Sequence, residues 1–150
     1  MAFAAKQEVT ESSQPRRFTV PDFNTYGMWI ISRLKAKFPT MTDKTALGWL
    51  RGLMESNEYY FVTNEKAVLL AQMVHAGLDP APKVREIFCL CQDGQMQAGA
   101  DLYRSLAGWA KNIGTDEIIV MRLTDVSKPM IEEALGGKVA SRTLNYVRLA

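Results

Sequence analysis

Apolar positions along the chain recur at three periods, and each predicts an element. Near the start, Ile30, Ile31, Leu34 and Phe38 fall at helical spacing, which predicts a helix over Thr25–Lys37 that Pro39 stops. Ala46, Leu47, Leu50, Leu53 and Met54 form a second helical stripe, with Thr42 or Asp43 as its cap. Gly48 and Gly52 lie inside that helix, where each costs about 1 kcal/mol against alanine and leaves room for another element to approach. Before the first helix, Arg17–Val20 reads as a short strand closed by a Pro21-Asp22 turn. The middle of the chain is β-rich. Tyr59–Thr63 and Lys66–Val74, joined through Asn64-Glu65, predict a hairpin, and His75–Pro82 predicts a loop. Lys83–Leu90 alternates, with Val84, Glu86, Phe88 and Leu90 on one face and Arg85, Ile87, Cys89 and Cys91 on the other. Apolar residues on both faces predict a strand covered on both sides.

The second half repeats the change of period. Leu102, Leu106, Trp109, Ala110 and Ile113 make the buried stripe of a helix over Met96–Asn112, which Gly114 ends. Glu117–Leu123 is a strand whose continuous apolar centre suits an interior position. Asp125 or Ser127 caps a short helix with Pro129 in its first turn. That helix ends at Gly136-Gly137, and Lys138–Leu149 returns as one or two strands. Strands 83–90 and 117–120 should be parallel neighbours joined by the helix between them, with Leu102, Leu106 and Ala110 against the sheet. The order predicts one α/β domain over residues 16–150, a mixed central sheet with helices on both faces. Residues 1–15 are polar and aperiodic and predict an arm that is flexible, or is ordered by a protein partner.

Composition narrows the chemistry. The 150 residues are 47% hydrophobic and 23% charged, in the ordinary globular range, with a net charge of +2. That charge is too small and too scattered for nucleic acid. Apolar runs such as Ala67–Ala71 are too short to span a bilayer, and no secretory pattern opens the chain, so the expected compartment is the cytoplasm. His75 is the single histidine and stands beside a predicted loop, which argues against Ser-His or Cys-His chemistry. Cys89 and Cys91, the only cysteines, share a strand face and read as buried free thiols, and no metal set can be assembled.

The stretch from Lys83 to Gly137, centred on Ala98–Gly114, carries a resemblance. Gly99, Leu102, Leu106, Ala110 and Gly114 stand at the spacing of the helix that follows the acyl-CoA loop in the GNAT (Gcn5-related) acyltransferases, and Asp116–Val120 resembles the family's fifth strand. The order β-α-α-β-β-β-α-β-α-β is similar to theirs over nearly the whole chain from Arg17. The resemblance implies a GNAT-like fold and acetyl-CoA as cofactor. It would be held by the end of a splayed strand, whose backbone meets the pantetheine arm, and by a glycine turn and helix N-terminus that meet the pyrophosphate. On this chain those positions are Leu90, Cys91, Gln92, Gly94, Gln97, Ala98, Gly99 and Ala100.

The chain departs from the family's pattern in two places. With Gly99 as the last loop position, Gly94 stands where the family has Arg or Gln, and Gln97 stands at the first glycine. After the fifth strand, the family's Asn and thiolate-protonating Tyr fall at Asp125 and Glu132. Glu86, on the fourth strand, is a candidate base, with a solvated strand residue as its alternative; Glu132 is the other catalytic candidate. Two functions follow. One is acetyl transfer to the amine of a small molecule or a protein terminus, through a degenerate acyl-CoA loop. The other is a non-catalytic interaction protein on the same scaffold, such as a virion or assembly component, since compact GNAT-like proteins occur in bacteriophages.

Overall fold

In a computed structural model, residues 14–75, 80–115, 117–120 and 123–137 are described. The predicted arm lies outside them except for its last two residues, and the predicted final strands lie outside them entirely. The order is β1 (Arg16–Arg17), α1 (Val20–Lys37), α2 (Asp43–Met54), β2 (Tyr59–Thr63), β3 (Ala67–His75), β4 (Pro82–Cys91), α3 (Met96–Asn112), β5 (Ile118–Ile119) and α4 (Lys128–Leu135). The sheet runs β1-β2-β3-β4-β5, antiparallel up to β4 and parallel between β4 and β5. This is the mixed α/β architecture that the pattern predicts, with the parallel pair joined through α3. No helix among the described residues is long and apolar enough to cross a membrane.

Each sheet face has its own core. On one, α1 and α2 bring Ile30, Leu34, Leu50 and Leu53 against Phe61, Leu70, Phe88 and Leu90. On the other, α3 and α4 bring Leu102, Leu106, Ala110 and Ile131 against Leu69, Val84 and Cys89. Leu102, Leu106 and Ala110 are therefore buried against the sheet, as their stripe requires.

The first helix starts five residues earlier than predicted, at Val20 and not at Thr25. Pro21 and Asp22, read above as a turn after a strand, lie inside the first turn of α1, and the strand shrinks to Arg16–Arg17. A proline is tolerated there because the first amides of a helix have no intrahelical acceptor. Asp22 fixes the start: its Oδ2 accepts from the Thr19 N–H at 2.9 Å and the Thr19 hydroxyl at 3.0 Å. Arg16 then grips both carboxylate oxygens at 2.6 and 2.7 Å, tying β1 to the helix start. Arg17 donates to the Met54 carbonyl at 2.9 Å and closes the far end of α2.

The simple alternation of β4 fails at one point. Leu70 pairs with Phe88 but the next residue, Ala71, pairs with Glu86, so Ile87 is an extra residue in β4. Such a bulge moves every later side chain to the opposite face. Val84 lies on the α3 face before it, and Cys89 and Cys91 lie there after it, while Ile87, Phe88 and Leu90 face α1 and α2. The fifth strand is also shorter than its apolar run, with two half-buried residues at the edge of the described sheet; the strands predicted after it lie outside the described residues. Among the described residues no neighbour approaches Gly48 or Gly52 within 4 Å of where a Cβ would stand, so their small size serves no close contact there.

Two stability tests follow. Gly48→Ala and Gly52→Ala should each raise stability by about 0.5–1 kcal/mol in urea unfolding, because a Cβ meets open space in a helix. The Asp22 carboxyl is pushed up by burial, but the Arg16 guanidinium and the Thr19 donors outweigh that and hold it below its ordinary value. Its stabilisation is thus complete above about pH 5 and is lost as pH falls through the lowered folded-state pKa. Asp22→Asn should cost about 1–2 kcal/mol at pH 7, and the gap from the unaltered protein should close in acid. A gap constant down to about pH 2 would refute the assignment.

Candidate functional site

The end of β4 runs into the start of α3 through a tight turn. The Gln95 amide reaches the Gln92 carbonyl at 3.0 Å across Asp93 and Gly94, and Gly94 has a left-handed φ of 73°. Gln92 is held to the β2–β3 hairpin, its amide donating to the Lys66 carbonyl at 2.9 Å. Asn64, fully buried in the hairpin turn, accepts from the Ala67 amide at 3.0 Å and donates to the Ala98 carbonyl at 2.9 Å. The hairpin thereby fixes the height of the α3 N-terminus above the sheet. In sequence Asn64 reads only as a connector, although an asparagine before a hairpin turn is the residue type that hydrogen-bonds locally.

The candidate cofactor residues divide into two groups. Gln92, Gly94 and Gln97 are exposed, and Gln97 turns along the helix to Asp101 at 3.2 Å. Leu90, Cys91, Ala98, Gly99 and Ala100 are buried. Leu90 faces α1 and α2, away from the other four. A Cβ on Gly99 would stand 2.5 Å from Cys91 Sγ and 2.6 Å from Val126 Cγ2, so this glycine lets α3 lie directly on β4. What Gly99 offers to solvent chemistry is backbone alone, and its amide turns back to the Gln95 carbonyl at 3.4 Å. Cys89 and Cys91 are free thiols. Their mutual hydrogen bond, with burial, pushes Cys89 well up, while the same bond lowers Cys91.

The edge of β4 beyond the bulge is already paired. The Cys89 amide donates to the Leu123 carbonyl at 3.0 Å and the Cys89 carbonyl accepts from the Asp125 amide at 2.9 Å. The Asp125 carboxylate in turn accepts from the Cys91 amide at 2.8 Å. Arg33 of α1 reaches the other oxygen of Asp125 at 2.5 Å. That hydrogen bond, against some burial, raises the Arg33 pKa, and the charges of Cys91 and Asp93 add to the effect. Arg33 therefore stands by the turn between β4 and α3. Nothing in the local pattern singles it out, because its partner is 92 positions away.

Glu86 is not the solvated strand residue that alternation alone allows. It is fully buried beneath α3, beside Tyr103 and Cys89. Tyr103 donates to Thr124 at 2.9 Å, and burial first, then the Glu86 charge, raises its phenol pKa. Glu132 is half-buried on α4, which packs on α3.

On the opposite face, α1 and α2 part to leave a groove of about 550 Å³. Its walls include Leu34, Phe38, Met41 and Trp49, and Ile87 of the bulge and Leu123 form part of its lining. Neither Glu86 nor Glu132 lines it. The groove and the paired edge thus share β4 and the Leu123–Asp125 segment between them.

No family model and no curated protein matches the chain, but solved structures do. One described as a "probable acetyltransferase" superposes with a TM-score of 0.70 at 9% identity, over 91% of this chain and 97% of that one. The aminoglycoside N-acetyltransferase AAC(6')-Iy, solved in complex with CoA, superposes at 0.57 with 16% identity, over 85% and 91%. The wild-type protein TTHA1254 from Thermus thermophilus does so at 0.57 with 22% identity, over 91% and 96%. The fold is GNAT-like. Within this GNAT-like fold the helix glycine that carried the sequence resemblance is a packing residue. Gly99→Ala should cost about 1–3 kcal/mol through the clash with Cys91 and Val126, and Cys91→Ala with Val126→Ala should recover part of that loss in the triple variant. An unchanged unfolding midpoint for Gly99→Ala would refute the close approach.

Proposed function

We propose that this protein is an acetyl-CoA-dependent N-acetyltransferase with a weakened cofactor cradle. The observation that carries the reading is the parallel β4–α3–β5 unit with the α3 N-terminus at the end of β4, on a GNAT-like fold that spans most of the chain. The presence of CoA in one similarly folded acetyltransferase supports the same cofactor here. When bound, acetyl-CoA would supply an acetyl thioester to an amine, giving an amide and the free thiol of CoA.

The residues present fit only one end of that cofactor. The turn at Gly94 is open, and the first amides of α3 give an anion about 0.3–1 kcal/mol at an exposed site. Arg33, which feels the charges of Cys91 and Asp93 at this turn, would add a cation once released from Asp125. The pantetheine arm is a different matter, because the β4 edge that would receive it is bonded to Leu123 and Asp125. Binding must first displace those contacts, and the freed strand amides and Asp125 carboxylate would each need new partners. Glu86 is fully buried beneath α3, so we do not assign it as the base; Glu132, half-buried on α4, stays the other candidate.

Calorimetry with acetyl-CoA tests the reading. The expected dissociation constant is about 1 mM or weaker, near −4 kcal/mol. Asp125→Ala, which releases both Arg33 and the Cys91 amide, should tighten binding by about tenfold, a change of about 1.4 kcal/mol. Submicromolar binding by the unaltered protein would overturn the weakened cradle. Absence of binding in both folded proteins would overturn the cofactor itself and leave the non-catalytic interaction scaffold.

A further inference from the structure

The groove between α1 and α2 has the construction of a small-molecule site, and the geometry points to an elongated apolar carboxylate as its ligand. Its volume of about 550 Å³ lies within the usual range for ligand pockets. Phe38 and Trp49 stand on its walls at 51% and 40% exposure, which leaves two large rings facing water unless something apolar covers them. Lys37 is the single charged side chain among the described lining residues. Lys35, two positions earlier, is bonded to Asp43 at 2.8 Å, whereas Lys37 has no acid within ion-pair distance among the described residues. An apolar body against the rings with an anionic head on the Lys37 ammonium satisfies both features. A cationic head would meet Lys37 with like charge, and a neutral chain would leave the ammonium unused. None of the described lining residues belongs to the turn or to the α3 N-terminus, and Leu123 is the one shared with the paired edge of β4.

Titration of the full chain with octanoate, decanoate and decylammonium, followed by two-dimensional NMR, tests this. Decanoate should saturate, shift the signals of Phe38, Trp49 and Ile87, and bind roughly tenfold tighter than octanoate, as two more buried methylenes require. Decylammonium should bind at least tenfold more weakly than decanoate, and Lys37→Glu should reverse that order. Thr45→Trp, at an exposed lining position, should fill the groove and abolish decanoate binding while the protein stays folded. Equal affinity for octanoate and decanoate, retained binding in Thr45→Trp, or shifts confined to other surfaces would overturn the proposal. So would concentration-dependent dimerisation that moves the same signals without ligand, since a second copy would then be the occupant.

Discussion

The close approach of α3 to β4 is the constraint on which the rest of this molecule depends. It exists because Gly99 has no side chain: a single methyl group there would overlap Cys91 and Val126. Once α3 lies that low, Leu102, Leu106 and Ala110 reach the sheet and complete one of the two cores. The same placement puts the Ala98 carbonyl within reach of Asn64, so the hairpin turn is tied to the helix by a buried hydrogen bond. Burying an asparagine costs free energy unless its polar atoms are satisfied, and both ends of this amide are. The position of the α3 N-terminus is therefore set by packing from below and by hydrogen bonding from the side.

With the helix fixed, the bulge at Ile87 decides what β4 shows to each face. It leaves Glu86 under α3 and turns Ile87 toward α1 and α2, where it becomes part of the groove lining. It also brings both thiols beneath Gly99. Beyond it, Leu123 and Asp125 take up the amides and carbonyl of the strand edge. The Arg33–Asp125 pair holds this segment to α1, across the sheet from α3. Both partners are partly exposed, which limits the net strength of the ion pair. The hydrogen bond from Cys91 to the same carboxylate is the less replaceable half, since a buried amide without an acceptor is costly.

How far the sequence reveals this follows from the range of each interaction. The α3 boundaries, Met96 to Asn112, are readable because the apolar stripe is long and Gly114 follows it with a φ of 89°. The hairpin strands are readable from two β-rich runs and a short polar connection. The start of α1 is not, because Pro21-Asp22 serves a turn or a first helical turn equally well, and Arg16 decides between them from outside the helix. The bulge is invisible to any reading of β4 alone, because register is a property of two strands. The same limit hides the burial of Glu86, since its face depends on that register.

The candidate site is legible to the same degree and for the same reason. Sequence spacing brings Gly99 and Gly94 to the N-terminal end of α3, yet it does not separate a glycine that admits a ligand from one that admits a strand. Gly94, with open space and a left-handed φ, and Gly99, wedged against two side chains, are opposite cases of one residue type. The groove lies further out of reach, because its lining comes from α1, α2, the bulge and the Leu123 segment, and each contribution looks like ordinary core in its own stretch. Phe38 has the periodicity of a buried residue, and Trp49 stands among the apolar residues of α2; only the gap between the two helices leaves them facing water. Lys37 gains its meaning there as well: on a helix drawn alone it is one more basic residue of a last turn, and in the assembled fold it is the one charge among the described residues of an apolar wall.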